Sequence, residues 1–222
     1  MSAAPLSGPR PPRRIDLGGV TVDLLQIGTF RSDAGAIFGP VPRTTWEPLV
    51  HAEIDAASRL LQSLNLLHVW TGAANLLLET GMLAAGVTQE DDVVHSVSAR
   101  DALLAARIDP DALRYVLPSH LHRDHAGGLV TGSGAAAFPK ATIMRGSERT
   151  LLFMGDLFMR PWQANPRWVT AFDDAAWVSV DSKAAIFAEA AAEHWLIVQS
   201  HELAAPVGHL VADRDRFRFV AE

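Results

Sequence analysis

The sequence contains no cysteine among its 222 residues, which excludes a disulfide framework, a thiolate nucleophile and any sulfur-ligated metal site. A transition-metal site in this chain must be built from histidine and carboxylate. No apolar run approaches the roughly 20 residues that a membrane-spanning helix needs. The segment Met1–Arg14 is rich in Pro, Ala and Arg and lacks the apolar stretch of a secretory signal. The expectation is a cytoplasmic protein that does not engage a membrane. Neither sign of charge dominates: the net charge is −6 and the pI about 5.8, which argues against nucleic acid as a partner. Also missing are a Gly-x-Ser-x-Gly elbow, a phosphate loop and a dinucleotide fingerprint. A serine hydrolase of that type and a nucleotide-binding enzyme are thereby disfavoured.

What is present suits one sizeable α/β domain, since 49% of the residues are hydrophobic. We expect a disordered segment over residues 1–14 and a single domain over 15–222. Val20 to Phe30 alternates and predicts a strand. Residues 31–50 read as a Gly/Pro-punctuated loop. Leu64–Trp70 and Asn75–Glu79 flank Thr71-Gly72-Ala73-Ala74 as a hairpin. Ser98–Ile108 has helical spacing and ends at Asp109-Pro110, and His95 is placed in a helix as well. Short strands are expected at Leu113–Leu117, Ala141–Arg145, Leu151–Met154 and Leu196–Gln199. An alanine-rich helix, Ser182–Trp195, takes Asp181 or Ser182 as its cap. Two final strands lie between Val207 and Val220, around the turn Asp213-Arg214-Asp215. Strands and helices without a strict alternating rhythm predict two sheets covered by helices.

The chemistry concentrates in Ser119-His120-Leu121-His122-Arg123-Asp124-His125-Ala126-Gly127-Gly128. His120 and His122, two apart on an extended turn, project to one side. Imidazole nitrogens joined by a hard carboxylate oxygen from Asp124 suit a divalent cation. Asp156 follows the apolar run Leu151–Met154, and His201 follows Leu196–Gln199. Each is a metal-capable residue at the end of a strand, where a sheet holds a ligand accurately. The other histidines, His51, His68, His95, His194 and His209, read as structural or surface residues. Phe38, Trp46 and Trp162 suit either an apolar pocket or the core, and the core is the commoner fate of large aromatics.

These motifs resemble the metallo-β-lactamase superfamily. Ser119–Gly128 resembles its Thr-His-x-His-x-Asp-His-x-Gly-Gly signature, and Glu79-Thr80-Gly81 its Asp-Thr-Gly turn with Glu in place of Asp. Met154-Gly155-Asp156 resembles its Gly-Asp and Ser200-His201 its final ligand histidine. The segments Ala36–Trp46 and Asp156–Asp173 are similar to the branch that contains acyl-homoserine lactone lactonases. The resemblance implies an αββα sandwich and a small-molecule substrate whose lactone, ester or thioester carbonyl is hydrolysed. It implies zinc, one ion or two, with manganese or iron as alternatives. His120 and His122 would hold the first ion, Asp124, His125 and His201 the second, and Asp156 would bridge. Asp124 would also act catalytically, orienting the attacking water and passing a proton. The family's further ligand histidine is missing: no histidine occurs from 126 to 193, and the middle is shortened near residue 150, as though core strands were lost. Two readings follow, a hydrolase with a reduced ligand set, or a non-catalytic binding or assembly module, for which a homodimer is expected. Tyr115, the one tyrosine, precedes the motif, so no tyrosine beyond it can assist a lactone carbonyl.

Overall fold

The computed structural model describes residues 11–82, 92–129 and 151–222, and the chain divides into two compact units. One is formed by residues 31–62 and 151–222, the other by 11–30, 63–82 and 92–129. The strand expected at Ala141–Arg145 and the shortening near 150 fall largely on residues 130–150, outside the described residues. Among the described residues, no helix is long and apolar enough to cross a membrane.

The larger sheet runs β1 (Arg13–Asp16), β2 (Thr21–Asp33), β3 (Arg59–Trp70), β4 (Asn75–Leu78) and β6 (Leu113–Leu117), with β5 (Asp92–Ser96) paired to β2. β2 and β3 are buried along nearly their whole length, as strands with both faces covered are. Leu25, Ile27, Phe30, Leu64, Leu66 and Leu77 close a core with Leu103 of helix α3 (Ala99–Ala105). Ser98 caps α3, its hydroxyl accepting from the Asp101 N–H at 3.0 Å. β1 is tied down by charge: Arg14 Nε donates to Asp23 at 2.7 Å, and His68 stands 3.1 Å from the same carboxylate and 2.9 Å from Asn75. Burial raises the Asp23 pKa, but the hydrogen bonds from Arg14 and His68 outweigh it and hold the group below the usual value. The expected lead-in thus becomes strand at Arg13, while residues 1–10 lie outside the described residues. The helix expected around His95 is instead strand β5, whose neighbour Val97 donates its N–H to Ile27 O at 2.9 Å. The β-branched pair Val93-Val94 suits sheet pairing better than a helix.

The smaller sheet has the order β10 (Arg216–Ala221), β9 (Val207–Asp213), β8 (Leu196–Val198), β7 (Leu151–Phe153). Helix α5 (Ala176–Ala192) buries Lys183, Phe187 and Ala190, at helical spacing. It begins six residues before the expected start at Ser182, because Asp181 and Ser182 belong to its outer face instead of capping it. The predicted loop over 31–50 contains two helices, α1 (Ala34–Phe38) and α2 (Arg43–Val50). Its Gly and Pro residues mark boundaries: Asp33 accepts from Ala36 N–H to start α1, Gly39 ends it at φ +52°, and Pro42 precedes α2. Phe38 and Trp46 stack at 4.6 Å and, with Trp162 and Trp168 beside them, form a core cluster, so these aromatics fill the interior.

Both sheets share one device. Each contains a parallel pair, β4 with β6 and β7 with β8. Parallel neighbours end at the same edge of a sheet. The turns that follow the two strands are therefore brought side by side, in each unit separately.

Candidate metal centre

At the shared end of β4 and β6, two turns lock together. Glu79, at φ +65°, follows β4, and its carboxylate Oε1 accepts the Ser119 N–H at 3.0 Å. Its other oxygen lies 3.2 Å from His125 Nδ1, both side chains being buried. Thr80 donates its N–H and its hydroxyl to His125 O, at 2.8 and 2.9 Å. Gly128 lies so close to this turn that a Cβ on it would stand 2.2 Å from Thr80 O, so only glycine fits there.

The histidine motif is the turn after β6 and the short helix α4 (Arg123–Ala126). His122 starts the helix, its C=O accepting from His125 and Ala126 N–H at 3.1 and 2.9 Å. His120 Nδ1 faces Ser119 Oγ at 3.1 Å, and His120 Nε2 faces His122 Nδ1 at 2.7 Å. The His120 and His125 rings lie 4.2 Å apart, and His125 Nε2 is 3.4 Å from Asp124 Oδ2. This unit therefore brings His120, His122, Asp124 and His125 together.

The other unit repeats the arrangement at the ends of β7 and β8. Gly155, at φ +52°, turns the chain after β7 so that Asp156 Oδ1 stands 3.0 Å from His201 Nε2. Ser200 Oγ donates to Gly155 O at 3.0 Å, and His201 N–H donates to Met159 O at 3.3 Å. Asp156 and His201 thus meet, as strand-end residues of a parallel pair must.

The donors are the kind that hold a divalent cation: neutral imidazole nitrogens beside anionic oxygens. Ligand atoms about 2.0 Å from one tetrahedral zinc stand roughly 3.3 Å from each other. Separations of 2.7, 3.0 and 3.4 Å for His120–His122, Asp156–His201 and Asp124–His125 sit in that range. The residues fit a metal.

Sequence reading passed over Glu79 as a functional residue, although Glu-Thr-Gly directly after a strand was a usable signal. It also gave no weight to Arg160, a buried guanidinium beside His201's neighbour Glu202. The lower-ranked histidines have other duties, His68 in the Asp23 network and His209 in β9, bonded to Trp195 O and Glu222.

Residues 65–145 match the model of the Metallo-beta-lactamase superfamily. The chain is similar to a probable metal-dependent hydrolase from Staphylococcus aureus, at 18% identity and a TM-score of 0.84, over 94% of this chain and 99% of that one. It is also similar to AidC, a dizinc quorum-quenching lactonase, at 14% identity and a TM-score of 0.78, over 95% and 97% of the two chains. A third similar structure is the hydrolase AbOPH, at 15% identity and a TM-score of 0.80, over 99% of each chain. No curated protein sequence matches the chain.

Proposed function

We propose that this chain, which has the metallo-β-lactamase fold, is a metal-dependent hydrolase that opens a lactone, ester or thioester carbonyl. The observation that carries the reading is the donor geometry at the parallel strand ends, His120 with His122, Asp124 with His125, and Asp156 with His201. In one unit His120, His122, Asp124 and His125 would supply cation ligands, and in the other Asp156 and His201 would do so. Zinc is the ion that this donor set favours, and manganese and iron are the alternatives. A bound cation of this class supplies Lewis-acid polarisation of a carbonyl and an acidified water near neutral pH.

The protein's own part is orientation and proton handling. Glu79 holds the Nδ1 side of His125, which directs Nε2 toward Asp124. Ser119 does the same for His120, leaving Nε2 toward His122. A ligand imidazole fixed through its second nitrogen keeps one tautomer and one direction. Asp124, partly exposed beside His125, is the group that orients the attacking water and carries its proton to the leaving oxygen or sulfur. The substrate is a small molecule. AidC is a lactonase, which makes lactones the first substrates to try.

Metal analysis of the purified protein, with lactone and thioester hydrolysis measured before and after chelation, tests this. Bound metal and chelator-sensitive turnover are expected, and metal-free protein with no such turnover would sink the proposal. The absence of histidine from 126 to 193 favours a second reading, a non-catalytic binding or assembly module. That module would be a stable homodimer by light scattering, and turnover by a monomer excludes it.

A further inference from the structure

A guanidinium buried to 3% exposure is costly unless its charge and its N–H groups are met. Arg160 meets both requirements in three directions. Its Nε donates to Glu202 Oε2 at 2.9 Å, one terminal nitrogen donates to Leu61 O at 3.1 Å, and the other donates to Glu53 Oε2. Glu202 follows His201 directly and is held at both oxygens, since its Oε1 accepts the Ala204 N–H at 2.9 Å. Arg160 itself lies four residues after Asp156, next to Met159, whose C=O receives the His201 N–H at 3.3 Å. Its segment is pinned again where Gln163 Oε1 accepts the Met159 N–H at 2.8 Å. The guanidinium therefore clamps the turn that carries Asp156 to the turn that carries His201, without touching the ligand atoms in the contacts it makes.

We propose that Arg160 is a positioning residue that sets the Asp156–His201 spacing of 3.0 Å and so fixes the metal affinity of the pair. The inference rests on the metal-centre reading above and adds a determinant outside the ligand set. A planar fork holds three partners in one plane, which a lysine ammonium cannot reproduce. Loss of such support lowers metal affinity by roughly tenfold to a hundredfold.

The test uses the full chain as parent, Arg160→Lys, Arg160→Met and Glu53→Gln, each checked for folding by circular dichroism. Zinc affinity is measured by competition with a chromophoric chelator, and cobalt(II) is added to read the visible absorption band, whose intensity and position report coordination geometry. The expected result is a folded Arg160→Lys protein with zinc affinity reduced at least about tenfold and an altered cobalt band. Glu53→Gln removes a single arm of the clamp and falls between that variant and the parent. If Arg160 variants do not fold, a Glu53→Gln protein with weakened zinc binding still supports the proposal. Variants that melt earlier yet keep the parent's zinc affinity and cobalt band overturn it and leave Arg160 a brace of the fold alone. A parent that takes up neither ion overturns the metal-centre reading, and this proposal with it.

Discussion

Glu79 and His125 face each other 3.2 Å apart at the joined ends of β4 and β6, both shut off from solvent. The same carboxylate receives the Ser119 N–H, so one side chain ties the histidine turn and its buried imidazole to the strand below. Glu79→Ala removes the acceptor of the Ser119 N–H and the carboxylate that stands beside the buried His125 Nδ1. Such a change costs about 2–4 kcal/mol and lowers zinc affinity by roughly 10- to 100-fold. Glu79→Gln keeps the shape and one acceptor oxygen, so it falls between. Chemical denaturation and chelator competition read the two effects separately, and an Ala variant that matches the parent in both would remove Glu79 from the centre.

His122 offers the opposite balance. Its side chain is exposed, and its contact with His120 is a polar one at 2.7 Å. His122→Ala should leave stability within about 0.5 kcal/mol of the parent in metal-free protein. The amount of bound metal should fall by elemental analysis, and lactone or thioester hydrolysis should fall by at least about a hundredfold. A variant that loses melting temperature and no turnover would mean that the cation serves the fold alone.

These two residues also divide what the sequence discloses from what it hides. His120, His122, Asp124 and His125 are local, set by a short motif after an apolar run, and can be read directly. Asp156 and His201 become readable as strand-end residues because Leu151–Phe153 and Leu196–Val198 are compact apolar strands. Glu79 and Arg160 escape because their value lies in partners about 40 positions away, Ser119 and Glu202, which no periodicity reveals. Helix α5 was misplaced at its start for a related reason. Asp181 and Ser182 look like a cap, and the residues that overrule them, Lys183 and Phe187, do so through tertiary packing.

Lys183 carries a pH dependence. It is 1% exposed, donates to Trp168 O at 2.6 Å, and burial lowers its pKa from 10.5 to about 8 in spite of Asp173 nearby. A lowered amine pKa means that the unfolded chain binds more protons between those two values, so stability rises with pH there. The burden is fully present below about pH 8 and is relieved as the pH climbs toward 10.5. A shift of this size is worth on the order of 3 kcal/mol. Urea denaturation across pH 7–10.5 should show the parent gaining on Lys183→Met as the pH rises. A difference that is flat with pH would contradict the assignment.

Gly128 tests the packing of the same turn without touching a ligand. A methyl group there would be driven 2.2 Å from Thr80 O, against backbone that is fixed by two hydrogen bonds to His125 O. Gly128→Ala should cost about 1–3 kcal/mol, a fall of roughly 3–10 °C in melting temperature for a chain of this length. Zinc binding should weaken in parallel, because Thr80 moves the His125 backbone with it. Differential scanning calorimetry on metal-free protein checks the first part, and an unchanged melting temperature would show that the turn has room to give.

Removal of metal should be visible in stability as well as in turnover. A cation that binds the folded chain alone stabilises it by about 2.7 kcal/mol at a hundred times its dissociation constant. For a chain of this length that is roughly 5–10 °C in melting temperature. Chelated protein should therefore melt lower than protein with added zinc, and the gap should widen with zinc concentration logarithmically. The increment should shrink in His201→Ala, whose imidazole stands 3.0 Å from Asp156, and stay whole in His209→Ala, a β9 residue whose ring bonds Trp195 O and Glu222. Equal increments in the two variants would mean that zinc stabilises the chain from somewhere other than the strand ends.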